Sequence, residues 1–463
     1  MSNDRQLQNS RTLASMLGVD EEEAAELLQG AVQITWSPAD ETAACLGMFV
    51  ITMLARTFSN VGTPADPNIC TSWELIINSA QPLAEKAQKL YCTIDAKRFY
   101  CGLGVDDFHF VERRPTKILC LLAASFCAAQ VTNYVLNLPR GRVSRQGVLI
   151  NFNEWPGVPL ETWEQEADLG ALQFAGVGAV GNAITYALQH LPVRGQAALI
   201  DPKPVSHGIL NRCLWFDEND IGQPKAIVLA EKAGAAASKL VFTPYVKTVQ
   251  QARTDLGEFN CLVVGVDSRR ARRNLQNEMP LEVFDASTTG VTEVVFHHNR
   301  QFNGHACMAC IYHETEAERT FAHHIAEMLN VTVEDVAEAY ISAAASEKIC
   351  ARYGQLVPST ILGKAYDSLF RELCATDKLM TPEQKQVLAP FAFVSQLAGT
   401  VLAIELFLRR LQPSRSGNFN YWRVSPWRGI FTDLQQTRAQ KSDCEVCAQS
   451  DYKWLAQEIW KQK

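Results

Sequence analysis

Two kinds of hydrophobic pattern alternate along the first third of the chain. Residues 42–58 and 118–138 are apolar nearly all round, as helices buried on every side must be. Between them lie short apolar runs of strand length, such as WELIINS and KRFYCGLG. The segment DEEEAAELL at residues 20–28 adds a short helix with an aspartate as its N-cap. This alternation predicts one α/β unit over residues 1–165.

A second α/β pattern begins at residue 172. A strand, a glycine turn and a helix span residues 172–191, and two further strands end at Asp201 and Asp267. This order is typical of a parallel sheet with right-handed βαβ connections. The pattern therefore predicts a Rossmann-like domain with a parallel-rich sheet.

The second pattern is interrupted by a charged helical segment. Residues 314–386 are predicted to be helical, with the clearest helix over residues 331–354 and another starting at TPEQ. An apolar helix at residues 390–411 then closes the domain before a short strand-rich tail. The predicted domains are residues 1–165, residues 166–313 together with 387–463, and the helical insertion 314–386.

Composition and charge exclude several classes of protein. With 463 residues, a net charge of −7 and a pI near 5.8, the chain is not expected to bind nucleic acid through phosphate neutralisation. The dense basic cluster at residues 269–273 is predicted to be a solvated helix face. The run at residues 118–138 is long enough for a membrane span but carries Gln130, Thr132 and Asn133, so we expect a buried core helix and no membrane contact.

The cysteines indicate a reducing compartment. The chain has 14 of them, and its first residues, MSNDRQLQNS, show neither the basic nor the apolar region of a secretory leader. Thiols stay free in such a setting. We therefore expect a cytoplasmic protein without disulfide bonds.

The turn GVGAVG is the first candidate for a ligand site. Gly176, Gly178 and Gly181 form a GxGxxG pattern between a strand and a helix, where glycines permit a tight turn and let backbone amides approach a phosphate. Asp201 lies 20 residues past Gly181, where a carboxylate can accept hydrogen bonds from ribose hydroxyls. This spacing fits a NAD-binding protein and an ATP-binding protein equally well.

The residues after Asp201 separate these two nucleotides. Asn211, Arg212 and Lys225 follow it along the chain. NAD needs no such cations, whereas a triphosphate does, because Arg212 and Lys225 can neutralise charge on the phosphates during nucleotidyl transfer. The next strand ends at Asp267, where a carboxylate can hold Mg²⁺ that bridges to the phosphates. Together these positions favour an ATP site.

These motifs resemble those of the ubiquitin-activating-type adenylating enzymes, the superfamily that includes the molybdopterin and thiamine sulfur-carrier adenylyltransferases. The corresponding positions here are the three glycines, Asp201, Asn211 and Arg212 in LNRC, Lys225 in DIGQPKA, and Asp267 with Arg272 five residues later. The match spans residues 172–277 and resumes near Pro390. Four positions depart from the family pattern: Lys203, Gly208, Ile209 and Cys213.

The resemblance implies an adenylation domain and a role for each residue. It implies that Asp201 binds the ribose and that Asp267 binds Mg²⁺. It also implies that Arg212 and Lys225, with Asn211 beside them, contact the phosphates of ATP. The C-terminal carboxylate of a ubiquitin-like protein would then attack the α-phosphate, giving an acyl adenylate and pyrophosphate.

Two CxxC pairs, CMAC and CEVC, form a second candidate site. Their cysteines offer four sulfurs, the number that a tetrahedral structural zinc site requires: Cys307, Cys310, Cys444 and Cys447. The pairs are too far apart for a self-contained zinc ribbon, so the site would join distant parts of one fold. A redox dithiol is the alternative, which is less favoured because neither pair opens a thioredoxin-like helix. The prediction is structural Zn²⁺.

Two further cysteines are candidates for a thioester. Cys350 and Cys374 lie in the helical insertion, where related activating enzymes carry the cysteine that takes the acyl group from the adenylate. Cys374 is the first choice, because it follows a predicted helix and precedes a polar stretch, where a thiolate would be reachable. Cys350 is the second choice, and an enzyme without a catalytic cysteine is the third.

Residues 1–165 contain no glycine-rich phosphate loop. The superfamily works as a pair of adenylation-type folds, either two identical subunits or an active half beside a degenerate one, so we interpret this unit as an inactive adenylation-like half. A substrate-clamping domain and a diverged conjugating-enzyme domain are the alternatives, and a homodimer stays open. The layout is most similar to the activating enzyme of bacterial ubiquitin-like conjugation operons linked to antiphage defence.

The leading hypothesis is an ATP-dependent enzyme that adenylates a ubiquitin-like modifier and passes it through a cysteine thioester to a conjugating enzyme. The first alternative is an adenylyltransferase without a thioester step that serves a sulfur carrier or a peptide. A NAD- or FAD-binding redox protein is disfavoured, because the phosphate cations, Asp267 and the CxxC pairs would each need a separate explanation. A noncatalytic scaffold with a decayed nucleotide site is the last alternative.

Overall fold

The computed structural model describes residues 3–67, 70–78, 80–104, 114–138, 147–236, 239–375 and 389–461. Within these residues the chain forms two β-sheets, one in each half. The first half contains α1 (Asn3–Leu17), α2 (Glu21–Leu27), β1 (Ala31–Thr35), α3 (Glu41–Leu54), β2 (Asn60–Gly62), β3 (Trp73–Ile77), β4 (Gln88–Ile94), β5 (Arg98–Gly102), α4 (Lys117–Val135) and β6 (Val148–Asn151).

The second half carries the larger sheet and the remaining helices. Its strands are β7 (Ala167–Ala175), β8 (Val193–Ile200), β9 (Lys239–Tyr245), β10 (Cys261–Val264), β11 (Glu282–Thr289), β12 (Glu293–Arg300), β13 (Tyr421–Val424) and β14 (Gln435–Gln436). Its helices are α5 (Ala179–Leu188), α6 (Lys225–Ala235), α7 (Val249–Leu256), α8 (Arg269–Leu275), α9 (Met308–Ile311), α10 (Glu316–Leu329), α11 (Val333–Ala337), α12 (Ala343–Arg352), α13 (Pro358–Ile361), α14 (Tyr366–Ala375), α15 (Ala392–Leu411) and α16 (Ser450–Trp460).

Local sequence explains where two early helices begin. Asp20 precedes α2 and accepts a hydrogen bond from Glu23 N at 2.8 Å, so the predicted N-cap is confirmed. Asp40 caps α3 in the same way, accepting from Ala43 N at 2.9 Å. In both helices a side-chain oxygen satisfies an amide that has no partner inside the helix.

The six strands of the first sheet and six of the eight strands of the second follow the same order. Read from the other end of the second sheet, β8-β7-β10-β11-β12-β13 corresponds to β2-β1-β3-β4-β5-β6. The first has the order β2-β1-β3-β4-β5-β6, and the second has the order β14-β13-β12-β11-β10-β7-β8-β9. In the first sheet, β2, β1, β3 and β4 are parallel and β5 and β6 are antiparallel. In the second, β8, β7, β10 and β11 are parallel and β12 and β13 are antiparallel, with β9 and β14 added at the edges. The predicted α/β class with parallel-rich sheets is confirmed.

Helix α4 precedes β6, and helix α15 precedes β13, the corresponding strand of the second half. The two helices pack against each other. Both are long and apolar enough to cross a membrane by length and composition, but 94% of the apolar window in α4 and 100% of that in α15 is buried inside the protein. Gly399 lets α15 approach α5 closely, since a Cβ there would lie 2.4 Å from Ala183 C. The two halves therefore share one hydrophobic core, and the predicted core helix at residues 118–138 is confirmed.

A buried ionic cluster lies in the second half of α15. Glu405 is 0% exposed and accepts hydrogen bonds from Arg409 Nε at 2.9 Å and Arg415 Nη2 at 2.7 Å. Trp155, in the segment between the two sheets, donates its indole N–H to the same carboxylate at 2.9 Å. Burial alone would raise the pKa of Glu405, but the two guanidinium groups lower it. The charged carboxylate thus holds the connecting segment to α15.

The insertion between α9 and α15 has a core of its own. Helices α10 to α14 bury a separate set of apolar side chains that includes Leu329 and Phe370. The single helix predicted over residues 331–354 is wrong, because Ala339 adopts a left-handed φ of 65° and Ser342 caps a separate α12. The helix predicted to start at TPEQ lies outside the described residues.

The strand-rich tail predicted after α15 is correct only in part. Strands β13 and β14 follow α15, but they are followed by α16. This helix packs Tyr452, Ala456 and Trp460 against the CxxC pairs. Their spacing of four residues is the sequence signal of this helix.

Candidate functional site

The glycine turn connects β7 to α5. Gly176 has a left-handed φ of 84°, which residues with a side chain rarely adopt. A Cβ on Gly181 would lie 2.4 Å from Gly176 O, so the first turn of α5 packs directly on the loop. Gly178 is the N-cap of α5, and a Cβ there would meet nothing within 4 Å. The start of α5 therefore faces an open space of the kind that a phosphate can fill.

Asp201 follows β8 and ties the glycine turn to that strand. It is buried, with 5% exposure, and its Oδ2 accepts a hydrogen bond from Val177 N at 3.0 Å. Its Oδ1 accepts from Lys203 N at 2.9 Å. Each carboxylate oxygen can accept a second hydrogen bond. Ribose binding by Asp201 stays a prediction.

Asn211 and Arg212 lie just after the short 3-10 helix His207–Ile209. The guanidinium of Arg212 donates through Nη1 to Gly208 O at 2.6 Å and to Asn211 Oδ1 at 3.0 Å. Asn211 is 1% exposed. The turn thus fixes the arginine through its own backbone and through the neighbouring amide.

Lys225 is the first residue of α6 and is 7% exposed. Its backbone N donates to Lys203 O at 3.1 Å, two residues past Asp201. Burial raises the pKa of the Cys213 thiol, whereas the charges of Arg212 and Lys225 lower it. The negative charge of Asp201 raises the pKa of the same thiol. The structure therefore joins Asp201 to the start of α6 through the backbone of Lys203, and the charges of Asp201 and Lys225 both act on Cys213, the residue after Arg212.

Asp267 follows β10 at the same edge of the sheet and is exposed. Its Oδ1 accepts a hydrogen bond from the Ser368 hydroxyl of α14 at 2.6 Å. Burial is the main cause that raises the pKa of Tyr340, and the negative charges of Asp267 and Asp201 raise it further. Both carboxylates therefore affect the same phenol. An exposed carboxylate is a hard oxygen ligand that suits Mg²⁺, and that role stays a prediction.

The insertion also contacts the segment after Asp267. Asp367 of α14 accepts a hydrogen bond from Ser268 Oγ and forms an ion pair with Arg270 Nη1 at 3.0 Å. The sequence reasoning missed Asp367 and Ser368, because polar residues at the start of a helix usually serve as local caps. Their partners, Ser268 and Asp267, lie 99 and 101 residues earlier.

The basic cluster at residues 269–273 is not the solvated helix face that was predicted. Three of its four arginines are buried, with exposures of 2%, 3% and 6%: Arg270, Arg272 and Arg273. Arg272 donates hydrogen bonds to Asp285 and to Val266 O, next to Asp267. Carboxylates outside the cluster neutralise these arginines, and a local charge pattern does not reveal such partners: Asp367, Asp285 and Glu318.

Two other residues at this edge were not singled out from the sequence. A Cβ on Gly265 would lie 2.8 Å from Gly176 O, so the residue after β10 also packs closely on the glycine turn. Asp285 in β11 is 0% exposed and also accepts a hydrogen bond from the Tyr312 hydroxyl. The glycine in VVGVD and the aspartate in VFDAS were the available signals.

The four cysteines of the CxxC pairs lie together, with all sulfur atoms within 4.8 Å of one another. The sulfur–sulfur distances are 3.8 Å for Cys307–Cys310, 3.8 Å for Cys307–Cys444 and 3.5 Å for Cys310–Cys447. Four sulfurs at about 2.3 Å from a tetrahedral zinc ion would be about 3.8 Å apart. Lys441 N also donates to Cys310 Sγ at 3.4 Å. The cluster can hold a metal ion.

The two thioester candidates lie in different helices of the insertion. Cys374 lies in the last turn of α14 rather than after a helix as predicted, and its side chain lies outside the described residues. Cys350 lies in α12, half-buried against the core of the insertion. Burial raises the pKa of the Cys350 thiol, which disfavours the reactive thiolate.

Comparisons with known proteins agree with the resemblance drawn from the motifs. The ThiF family matches residues 170–446, and the E1 N-terminal domain matches residues 1–152. No curated protein sequence matches the chain.

Several solved structures are similar to this one. E. coli MccB with ATP is 14% identical with a TM-score of 0.35, over 77% of this chain and 97% of that chain. E. coli TcdA, a tRNA N6-threonylcarbamoyladenosine dehydratase, is 14% identical with a TM-score of 0.31, over 57% of this chain and 94% of that chain. PaaA is 10% identical with a TM-score of 0.34, over 69% of this chain and 83% of that chain. Because the ThiF match spans more than half of its residues, the chain belongs to the ThiF family.

Proposed function

We propose that the protein is an ATP-dependent enzyme that adenylates the C-terminal carboxylate of a ubiquitin-like protein. One observation carries the proposal: a glycine turn, a carboxylate and two cations meet at one edge of the second sheet. These groups are the GVGAVG turn, Asp201, Arg212 and Lys225. Two cations beside a phosphate-type turn suit a triphosphate better than a dinucleotide.

In the proposed reaction, a carboxylate oxygen of the modifier attacks the α-phosphorus of ATP. The bond from this phosphorus to the oxygen that bridges to the β-phosphate breaks, so the products are an acyl adenylate and pyrophosphate. Arg212 and Lys225 would neutralise the charge that develops on the leaving phosphates. Asp267 would hold Mg²⁺, which adds positive charge at the phosphate oxygens.

We further propose a thioester step on Cys374. Its thiolate would attack the carbonyl carbon of the adenylate and expel AMP, leaving a thioester for transfer to a conjugating enzyme. Helix α14 supports this choice, because its first turn contacts Asp267 through Ser368. Cys374 lies six residues after Ser368, which is about 9 Å along an α-helix. Cys350 is the second choice.

In this proposal the N-terminal half is an inactive adenylation-like partner. Its sheet repeats the strand order of the other half, and α4 packs on α15 as paired subunits would. The pairing is then complete within one chain, without a homodimer. The cysteine cluster would hold structural Zn²⁺ between α9 and the segment before α16. The layout supports a cytoplasmic enzyme of a bacterial ubiquitin-like conjugation system of the kind linked to antiphage defence.

An adenylyltransferase without a thioester step is the second candidate. It requires no reactive cysteine, and the raised pKa of Cys350 disfavours one of the two cysteines that could carry a thioester. Its substrate would be a sulfur-carrier protein or a peptide. The adenylation site would be the same in both candidates.

One experiment separates the two candidates. The full chain is incubated with ATP, Mg²⁺ and a candidate ubiquitin-like protein, and pyrophosphate release and the mass of any adduct are followed. We expect pyrophosphate release and an adduct that dithiothreitol removes. Cys374→Ser should keep ATP–pyrophosphate exchange and lose the adduct, whereas Cys70→Ser, at an exposed cysteine of the N-terminal half, should keep both.

Other results would lead to different conclusions about the cysteines and the reaction. If Cys350→Ser removes the adduct and Cys374→Ser does not, the order of the two cysteines is reversed. Exchange without any adduct in the wild type would favour the second candidate. Absence of exchange with every ubiquitin-like protein, sulfur carrier and peptide tested would refute adenylation.

A further inference from the structure

A continuous chain of hydrogen bonds runs from the N-terminal helix to Arg212. Asn9 of α1 is 2% exposed, and its Nδ2 donates to Arg56 O at 2.7 Å. Its Oδ1 accepts a hydrogen bond from Asn211 Nδ2 at 3.0 Å. Asn211 Oδ1 in turn accepts from Arg212 Nη1 at 3.0 Å. Through two buried amides, the N-terminal half thus reaches the arginine assigned above to the phosphates of ATP.

Arg56, just after α3, also contacts the turn that carries Asn211 and Arg212. Its guanidinium donates to three backbone oxygens, each at 2.9 Å: Leu210 O, Leu214 O and Phe216 O. These three carbonyl groups flank Asn211 and Arg212 in the sequence. A guanidinium suits this task because its N–H groups form a rigid planar fork, which a lysine ammonium lacks.

These contacts leave Asn211 with one orientation. Because its amide nitrogen donates to Asn9, its amide oxygen faces Arg212. The guanidinium of Arg212 is therefore oriented before any ligand arrives, and a preorganised cation loses little conformational entropy when it binds a phosphate. Without Asn9, the amide of Asn211 would be left buried with an unsatisfied donor, which favours its rotation.

We propose that Asn9 and Arg56 are positioning residues for Arg212, so that the N-terminal half completes the triphosphate site of the other half. The proposal rests on the proposed function, since it takes Arg212 as a phosphate contact. Asn9 and Arg56 act through the turn that carries Asn211 and Arg212, without touching the nucleotide themselves. The N-terminal half then contributes to ATP binding as well as to the shared core.

Nucleotide binding by the full chain tests this proposal. We expect Asn9→Leu to weaken Mg-ATP binding about tenfold, the size of one lost hydrogen bond in an oriented cation site. AMP binding should stay within about twofold of the wild type, because AMP lacks the phosphates that Arg212 would reach. A merely structural role of Asn9 would weaken the binding of both nucleotides equally. Arg56→Lys keeps the charge but loses the planar fork, and it should show the same ATP-selective loss.

A matched control and a double variant locate the effect. Gln6→Leu removes another hydrogen bond of α1, to Ser59 Oγ at 2.7 Å, and should leave binding of both nucleotides unchanged. In an Arg212→Ala background, Asn9→Leu should cause no further loss of Mg-ATP affinity, because the side chain that it positions is absent.

The outcomes that overturn the proposal are distinct. Equal losses for ATP and AMP, additive losses in the double variant, or wild-type ATP affinity in a folded Asn9→Leu protein would each refute the positioning role. If Asn9→Leu does not fold, Arg56→Lys decides by the same ATP-to-AMP comparison. A wild-type chain that binds no Mg-ATP would refute the proposed function itself, and the positioning role with it.

Discussion

The two halves of the molecule share a strand order and differ at the turn where a phosphate would bind. In the second half, GVG leads from β7 to α5, and the N-cap Gly178 has no side chain. In the first half, the corresponding turn from β1 to α3 is WSPAD, and its last residue, Asp40, accepts a hydrogen bond from Ala43 N at 2.9 Å. This carboxylate satisfies a helix amide itself and would repel a phosphate.

An aromatic side chain fills the space beside that turn. A Cβ on Gly47 of α3 would lie 2.5 Å from Trp36 Cε3, so the indole ring packs directly on the helix. Strand β2, Asn60–Gly62, is also much shorter than its counterpart β8, Val193–Ile200, which leads to Asp201. The sheet and helices of the first half therefore still pack against the second half, although the turn between β1 and α3 caps a helix and packs an indole ring instead of binding a ligand.

The largest expected effect comes from breaking the ionic cluster beside the connecting segment. Glu405→Gln would leave Arg409 and Arg415 without their carboxylate partner. Removing one partner of a buried ion pair costs about 3–5 kcal/mol, and we expect a loss of that size in the free energy of unfolding, measured by urea denaturation. Gln130→Leu on α4 is the control, because it removes a neutral hydrogen bond to Trp427 O, also between the halves, and should cost about 1 kcal/mol. Equal losses in the two variants would contradict a special role of the charged cluster.

The same substitution in each half should separate ligand binding from packing. Gly181→Ala would place a Cβ 2.4 Å from Gly176 O, and the resulting shift of the turn should lower the rate of ATP–pyrophosphate exchange about 100-fold. Gly47→Ala would press on Trp36 instead, so it should lower the melting temperature and leave ATP affinity unchanged. ATP–pyrophosphate exchange, ATP titration and thermal melting are measured for both variants. If Gly47→Ala weakened ATP binding as much as Gly181→Ala, the two turns would contribute equally to ATP binding.

A smaller effect is expected from the capping carboxylate of the first half. Asp40→Ala removes the N-cap of α3 and a hydrogen bond from Asn78 Nδ2 at 2.7 Å. The free energy of unfolding should fall by about 1–2 kcal/mol, measured by urea denaturation, while ATP affinity stays that of the wild type. Unchanged stability would show that this carboxylate does not replace a ligand at the start of the helix.

Local patterns were sufficient to predict the fold class and to select the residues at the sheet edge. The alternation of strands and helices places the ends of parallel strands at one edge, so the glycine turn, Asp201 and Asp267 could be named together. The long apolar helices were also visible, because a helix without a polar face must be buried. The sequence could not reveal the contacts that orient this edge.

Those contacts join residues far apart in the chain. Asn9 and Asn211 are 202 residues apart, and Ser368 and Asp267 are 101 residues apart. Pairing over such distances depends on how the halves and the insertion pack, which neither periodicity nor capping signals encode. The break at Ala339 is similar, since the pairing of Tyr340 with Ala365 overrides a locally helical sequence.

The smallest expected effect concerns the contact of α3 with the end of α5, where the two halves meet. His190 packs edge-on against Phe49, with ring centroids 5.0 Å apart, and burial together with the charge of Lys117 lowers the pKa of His190 to about 4. His190 takes up a proton near pH 6.5 in the unfolded chain, whereas in the folded protein it does so only near pH 4. Stability from the neutral imidazole is therefore full above pH 6.5 and is lost as the pH falls toward 4. Between pH 7 and about pH 5.5, the free energy of unfolding should fall by about 1 kcal/mol more in the wild type than in His190→Gln, measured by urea denaturation. The same pH dependence in both proteins would mean that this histidine is hydrated, and that the halves meet less tightly here than along α4 and α15.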